Sequence, residues 1–307
     1  MRHIFVINPA AGKNDKEKQI REELSKYEGQ FDFEIYVTKC RGDGCTFTRN
    51  YLETHDKSEI YRFYACGGDG SLHDVVNGAV GFPNAEVACY AAGSGNDFIK
   101  NFGNGPEFRD LPSLIKGKAK KIDVLKVDNN YCVNILSFGF DGEVTFAMHR
   151  YKKWPGVSGA MAYNLAAVSS LLFKMSCPLK VTIDGEKIFD DKGLLVAVGN
   201  GFCYGGGFYC TPEAKVDDGL IDVCLVKKIS RFKAAGLMKV YKSGEHLHNP
   251  KLKDLIVYKK CHTVVLESPK PVAYQVDGET YRETKINISL LPSALNFVIP
   301  EKMEESK

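Results

Sequence analysis

CGGDGSLHD, Cys66 to Asp74, is the stretch on which the fold turns, and AAGSGNDF, Ala91 to Phe98, is its companion. Each follows a short apolar run, YRFYA before the first and EVACY before the second, and each sets glycines beside an aspartate. Glycine lets backbone N–H groups come close to an anion, and a neighbouring carboxylate can meet the metal that travels with it. Nucleotide phosphates are the ligand class that needs both. GGDG by itself is also an ordinary tight turn. Two such loops at strand ends go beyond turn chemistry, because buried turns have no use for repeated carboxylates. NPAAGKN, from Asn8 after HIFVI, adds a third loop, and it opens a helix whose free N–H groups can receive phosphate. It lacks the GxxxxGK[ST] spacing, so it is not a Walker-type loop.

Around these loops, Arg2 to about Lys121 alternates strand and helix patterns. HIFVIN is an apolar strand, Asp15 to Tyr27 puts Ile20, Leu24 and Tyr27 on one helical face, FDFEIYV alternates with period two, and helical patterns follow Asp43 and Ser71. Such alternation predicts a mostly parallel sheet covered by helices, with ligands beyond the carboxyl ends of the strands, where all three loops sit. After Lys121 short strands and turns take over. KIDVLKV and YCVNILSF flank a DNN turn, LKVTIDGEKIF bends at Asp184-Gly185, and six further strand patterns follow, from GLLVAVGN to KINISLL. Two helices are expected there, Gly159 to Phe173 and Ser230 to Lys242, the second between a serine cap and Gly244. The fold class is α/β plus β: an N-terminal α/β domain over 1–122 and a C-terminal antiparallel β-sandwich or flattened barrel over 123–292. A last strand within 293–300 is a candidate to return to the first domain.

Composition narrows the partners. With 307 residues and 44% hydrophobic side chains the chain can bury two cores, and a net charge of +3 is too small to argue for nucleic acid. Ten cysteines lie scattered in apolar strands without CxxC spacing, and Met1 runs straight into a strand, so reduced, buried thiols in a cytoplasmic protein are expected. GAMAYNLAAVSSLLF is shorter than the roughly 20 residues of a membrane span. RYKKWPG, Arg150 to Gly156, joins three cations to Tyr151 and Trp154, which suits a lipid headgroup surface; a solvated basic loop before a buried helix is the plainer alternative. His73 is expected on a helix surface, and His246 and His248 in an exposed loop.

The ordered set NPAAG, GGDGS, GSGND, YGGGF, PEAKVDDGLIDV and VDGE, running from Asn8 to Glu279, resembles the diacylglycerol kinase catalytic-domain family, in particular its soluble bacterial lipid kinases. The resemblance implies an NAD-kinase-like ATP-binding domain, a lipid-substrate domain, and MgATP-dependent phosphorylation of a diacylglycerol-like or sphingosine-like hydroxyl. It also implies a lipid partner met at a membrane surface by peripheral contact, and a homodimer.

Carried over by motif, Asn8, Pro9, Gly12 and Lys13 match the first nucleotide loop. Gly67, Gly68, Asp69, Gly70 and Ser71 match the phosphate loop, and Gly93, Ser94, Gly95, Asn96 and Asp97 match the GTGND loop, serine keeping the hydroxyl of the usual threonine in both. Asp69, Asp97 and Asp123 correspond to a water-linked magnesium network. Asp217, Asp218, Leu220 and Asp222 correspond to a structural magnesium site made by two carboxylates and a backbone carbonyl, with Asp217 and Asp218 both open as the ligand; a DDG hairpin turn is the other reading. Asp277, with Glu279 beside it, is the candidate general base, although DG is also a common hairpin turn and Asp69 competes for the role. His73 and Asp74 replace the more usual residues of NEVVNG. An NAD kinase and a nucleotide-binding regulator without turnover are the alternatives. GSGND and VDGE disfavour the first, and the presence of Asp69, Asp97, Asp123 and Asp277 disfavours the second.

Overall fold

The computed structural model describes residues 1–11, 16–93, 95–103, 105–152, 154, 156–157, 161–162, 165–166, 169–170 and 176–302. Gly12, Lys13, Ser94, Lys153 and most of Gly159 to Phe173 lie outside them; of that last stretch, the described 161–162, 165–166 and 169–170 are helical. The chain divides into two compact units, Met1–Val124 with Leu291–Lys307, and Leu125–Leu290.

In the first unit, β1 (Arg2–Ile7), β2 (Phe33–Val37), β3 (Tyr61–Gly67) and β4 (Ala85–Ala91) form a parallel sheet in the order β2-β1-β3-β4. The end of the last strand, β13 (Glu279–Ile299), extends it, pairing Asn296 and Phe297 in parallel with Glu86 and Val87. Every residue of β3 is buried, and all but one of β4, as a sheet covered on both faces requires. Helices α1 (Lys16–Leu24), α2 (Asp43–Thr54) and α3 (Asp69–Ala79) follow β1, β2 and β3, and α4 (Leu111–Lys116) precedes β5 (Lys118–Val127).

In the second unit β6 (Asn130–Cys132) closes a hairpin on β5, and the strands that follow are β7 (Ile135–Gly139), β8 (Cys177–Ile183), β9 (Glu186–Gly199), β10 (Ile221–Lys227), β11 (Ile256–Cys261) and β12 (Thr263–Val276). They run antiparallel in the order β11-β10-β9-β7-β12-β13, and β8 also bridges β9 and β12. Successive side chains feed two cores. Val196 and Val198 of β9 and Ile221, Val223 and Leu225 of β10 go to one face, while Leu195, Ala197, Cys224 and Val226 go to the other. The second face is covered by α5 (Phe140–Tyr151) and α6 (Arg231–Ser243), whose Phe140, Val144, Ala234, Leu237 and Tyr241 join its core. Ser230 caps α6 by accepting the Lys233 N–H at 3.3 Å, and Gly244 ends it with φ 77°.

Three expectations are corrected. Helix α5 is a third helix where two were expected, and its Gly142 has to be glycine because a Cβ there would collide with the Ala273 carbonyl of β12. His73 is buried on α3 beside Asn77, and His246 is buried, not exposed. All ten cysteines are free; Cys40 is exposed, Cys45 and Cys177 are part-exposed, and seven are buried. Among the described residues no helix is long and apolar enough to cross a membrane.

Candidate active site

Three strand ends meet in the first unit. Asn8, just past β1, donates its N–H to the Cys66 carbonyl at 3.0 Å, and its side-chain Nδ2 lies 3.2 Å from Ser71 Oγ at the start of α3. The Asn8 Oδ1 accepts the Ala10 N–H at 3.0 Å, which turns the chain back over the loop. The loop after β4 is tied to β3 through the Gly67 carbonyl, which accepts the N–H groups of Ala92 and Gly93 at 2.8 and 3.0 Å.

Glycine is required where the two loops touch. A Cβ on Gly93 would strike Gly68 Cα, and one on Gly68 would come to 3.2 Å from Gly93 Cα, so backbone lies on backbone. The Asp69 carboxylate brackets the second loop, its Oδ1 accepting the N–H of Asp97 at 2.8 Å and of Phe98 at 3.4 Å. Asn96 takes a left-handed φ of 47° and donates to the Gly93 carbonyl at 2.8 Å, closing the turn. Asp97 is ion-paired with Lys100. A Cβ on Gly95 would lie 2.9 Å from Asp69 Oδ2 and 3.5 Å from Asp97 Oδ2, so both carboxylates look onto the same small space. Asp74 accepts the Gly42 N–H at 3.1 Å, and burial raises its carboxyl above the usual range.

Asp123 is buried on β5 and accepts the N–H of Ser293 at 2.7 Å, where φ is 51°. Among the described residues no three His, Cys, Asp or Glu side chains cluster as a metal cage. Asp217 and Asp218 are both exposed, and Asp218 and Asp222 contact the Lys260 ammonium.

Asp277 and Gly278 form the two-residue turn between β12 and β13, with φ of 49° and 94°. The Asp277 carboxylate is also a bracket. It accepts the N–H groups of Val133, Asn134 and Ile135 at 2.9, 3.0 and 3.2 Å and the Cys132 thiol at 3.2 Å. Burial, then the Asp277 charge, pushes that thiol far up. Glu279, part-exposed, opens β13 two residues on.

Five polar residues were not legible in the sequence. Asn134 donates to the Cys203 carbonyl at 3.0 Å, and Asn200 donates to the Val133 carbonyl at 2.9 Å, binding the Asp277 bracket to the segment that leads into YGGGF. Tyr204, the first residue of that motif, donates its hydroxyl to the half-buried Asp141 at the start of α5, and Ser137 donates to the same carboxylate at 3.2 Å. Burial raises the Asp141 carboxyl, with the two hydroxyls opposing. The signal in sequence was a lone asparagine or aspartate within an apolar run, which burial makes costly unless it is hydrogen-bonded.

A parallel α/β unit with phosphate-type loops at its strand ends, followed by a two-cored antiparallel β unit, is the plan of an NAD-kinase-like enzyme. Residues 2–127 match the diacylglycerol kinase catalytic domain, and residues 134–299 match the YegS C-terminal NAD kinase beta sandwich-like domain. The chain belongs to the diacylglycerol kinase catalytic-domain family with a YegS-type C-terminal domain, and it is a kinase of that family. It is 30% identical to the Alcanivorax borkumensis protein named "Probable lipid kinase YegS-like", over 94% of this chain and 95% of that one. It is 26% identical to a Staphylococcus aureus diacylglycerol kinase, over 90% and 85%. Among solved structures, a Bacillus anthracis diacylglycerol kinase superposes with a TM-score of 0.68 at 22% identity, covering 97% and 96% of the two chains. An Archaeoglobus fulgidus NAD kinase solved with ATP gives 0.51 at 10%, covering 98% and 95%. These two share the fold.

Proposed function

We propose that the chain is an ATP-dependent lipid kinase that transfers the γ-phosphoryl group to a lipid hydroxyl, with the nucleotide on the first unit and the lipid on the second. The observation that carries this reading is the junction of the three strand-end loops, glycine on glycine, beneath the paired carboxylates of Asp69 and Asp97. The backbone N–H groups at the start of α3 and the Asn8 and Ser71 side chains suit phosphate oxygens. Magnesium fits the hard oxygen donors that converge beside Gly95, and Asp69 and Asp97 would hold it. When bound, it would neutralise charge on the phosphates.

The acceptor hydroxyl must lose a proton as it is phosphorylated. We assign that proton to Glu279, because the oxygens of Asp277 are engaged by three N–H groups and a thiol. Glu279→Gln is expected to lower kcat by about 10² or more while leaving the melting temperature unchanged. Asp277→Asn would set an amide N–H₂ against backbone donors, so its loss of activity is expected to come with a loss of about 1–3 kcal/mol of stability. Wild-type kcat in Glu279→Gln would overturn the assignment.

Peripheral membrane contact is proposed for the end of α5, where Trp154 is 53% exposed beside Tyr151 and Arg150 lies over the Tyr151 ring. The decisive assay offers labelled ATP with diacylglycerol, sphingosine, undecaprenol or phosphatidylglycerol in neutral and anionic vesicles, and with NAD. A phosphorylated lipid formed faster on anionic vesicles is expected. Label in NAD alone would make the chain an NAD kinase.

A further inference from the structure

The acidic stretch after YGGGF departs from a metal site in one respect: a cation of the chain's own stands in it. Asp222 and Lys260 are directly opposed across the antiparallel pair β10–β11. The Lys260 ammonium lies 3.1 Å from Asp218 Oδ2 and 3.3 Å from Asp222 Oδ2, and it donates to the Glu213 carbonyl at 3.1 Å. The ammonium thus donates two hydrogen bonds, to Asp218 and the Glu213 carbonyl, and keeps an ionic contact with Asp222 Oδ2. The oxygens are two carboxylates and one backbone carbonyl, the donor set a divalent ion would use.

Asp222 needs this partner. Its side chain is wholly buried; Oδ1 accepts the Tyr258 hydroxyl at 2.6 Å, and Oδ2 has the Lys260 ammonium as its ionic contact. The Asp218 side chain, 22% exposed, is drawn in further by accepting the Leu220 N–H at 3.2 Å, which shapes the turn before β10. Burial alone would lower the Lys260 pKa, but hydrogen bonding to Asp218 and the charge of Asp222 more than offset it and leave it raised. A divalent ion would have to displace an ammonium that already pairs with both carboxylates, so magnesium does not fit beside Lys260.

We propose that Lys260 is a built-in cation occupying the place of a divalent ion among Asp218, Asp222 and the Glu213 carbonyl. This unit then folds without a second metal, and it becomes metal-binding only when the lysine is removed. The inference is independent of which substrate is phosphorylated.

The test is thermal melting without nucleotide, in chelator and in millimolar Mg²⁺ or Ca²⁺, for wild type, Lys260→Ala, Lys260→Met, Lys260→Arg and Asp218→Asn. Wild type is expected to respond to the ions no more than Asp218→Asn does, since any shared response belongs to the first unit. Lys260→Ala and Lys260→Met leave Asp222 buried without a counter-charge and are expected to melt about 5 °C lower in chelator. Ca²⁺ or Mg²⁺ should restore at least half of that loss, with calorimetry showing a site that adding Asp218→Asn abolishes. Lys260→Arg should melt like wild type. A variant that folds only when Ca²⁺ is present gives the same answer as a yield. The proposal is overturned if Ca²⁺ stabilises wild type in an Asp218-dependent way, or if neither neutral variant gains stability or binding from either ion.

Discussion

His246 is closed off from solvent, with its Nε2 3.6 Å from Cys224 Sγ and its ring 4.7 Å from that of Tyr241. Burial pushes its pKa down to about 4, and burial followed by the Arg62 charge does the same to His3. An unfolded histidine titrates near 6.5. Above that pH both states are neutral and nothing is lost. As the pH falls from about 6.5 toward 4, the unfolded chain takes up protons that the native one refuses, and stability drops by up to about 1.4 kcal/mol per pH unit per histidine. Melting at pH 5 is therefore expected to show about 2 kcal/mol less stability for each of His3 and His246 than at pH 7, and His246→Gln should have the shallower pH profile. An unchanged slope in that variant would remove His246 as the cause. GEHLHNP is polar in sequence, and only tertiary packing under Tyr241 puts His246 inside. The Lys260 triad was equally hidden, because 42 residues separate Lys260 from Asp218.

Among elements, the loops after β3 and β4 were legible because glycine-aspartate clusters at strand ends have a chemical reason to be there. Their mutual contact was not, since it depends on how β3 and β4 align. Gly93→Ala is expected to part the two loops, because both neighbours of the new methyl, Gly68 Cα and the Asn96 side chain held by Gly93 itself, are fixed. Affinity for an ATP analogue should fall by about tenfold or more, while Gly236→Ala, with nothing within 4 Å on α6, should bind like wild type. Equal affinities in fluorescence titration would mean that the contact does not shape the site. Helix α5 shows the opposite limit. Its glycine serves close packing on β12 rather than a turn, a distinction that local pattern cannot make. VDGE forms the hairpin turn of one of its readings, and its aspartate also holds the 133–135 backbone.

Over the whole molecule, the hydrophobic periods marked out an α/β half and a β half, because each architecture leaves its own spacing of apolar residues. What they could not supply was the partner of the last strand. Leu295, Phe297 and Val298 are buried in the first unit, and Phe297 packs edge-on against Phe98 and stacks on Phe102, each at 5.0 Å. A chain ending at Leu290 loses a strand paired with β4 and a buried phenylalanine that alone contributes about 3–5 kcal/mol. Such a chain is expected to lose cooperative melting of the first unit and all nucleotide binding, while residues 125–290 retain β-type circular dichroism. Full nucleotide affinity in the truncated protein would contradict the strand's role.

The thiol distribution has a practical corollary. Cys40 is open to solvent, whereas burial raises the pKa of Cys45 and holds Cys177 at about 11, and the rest are enclosed. Maleimide chemistry in native buffer should thus deliver a single fluorophore just ahead of α2, giving optical access to the first unit without engineering a cysteine-free background.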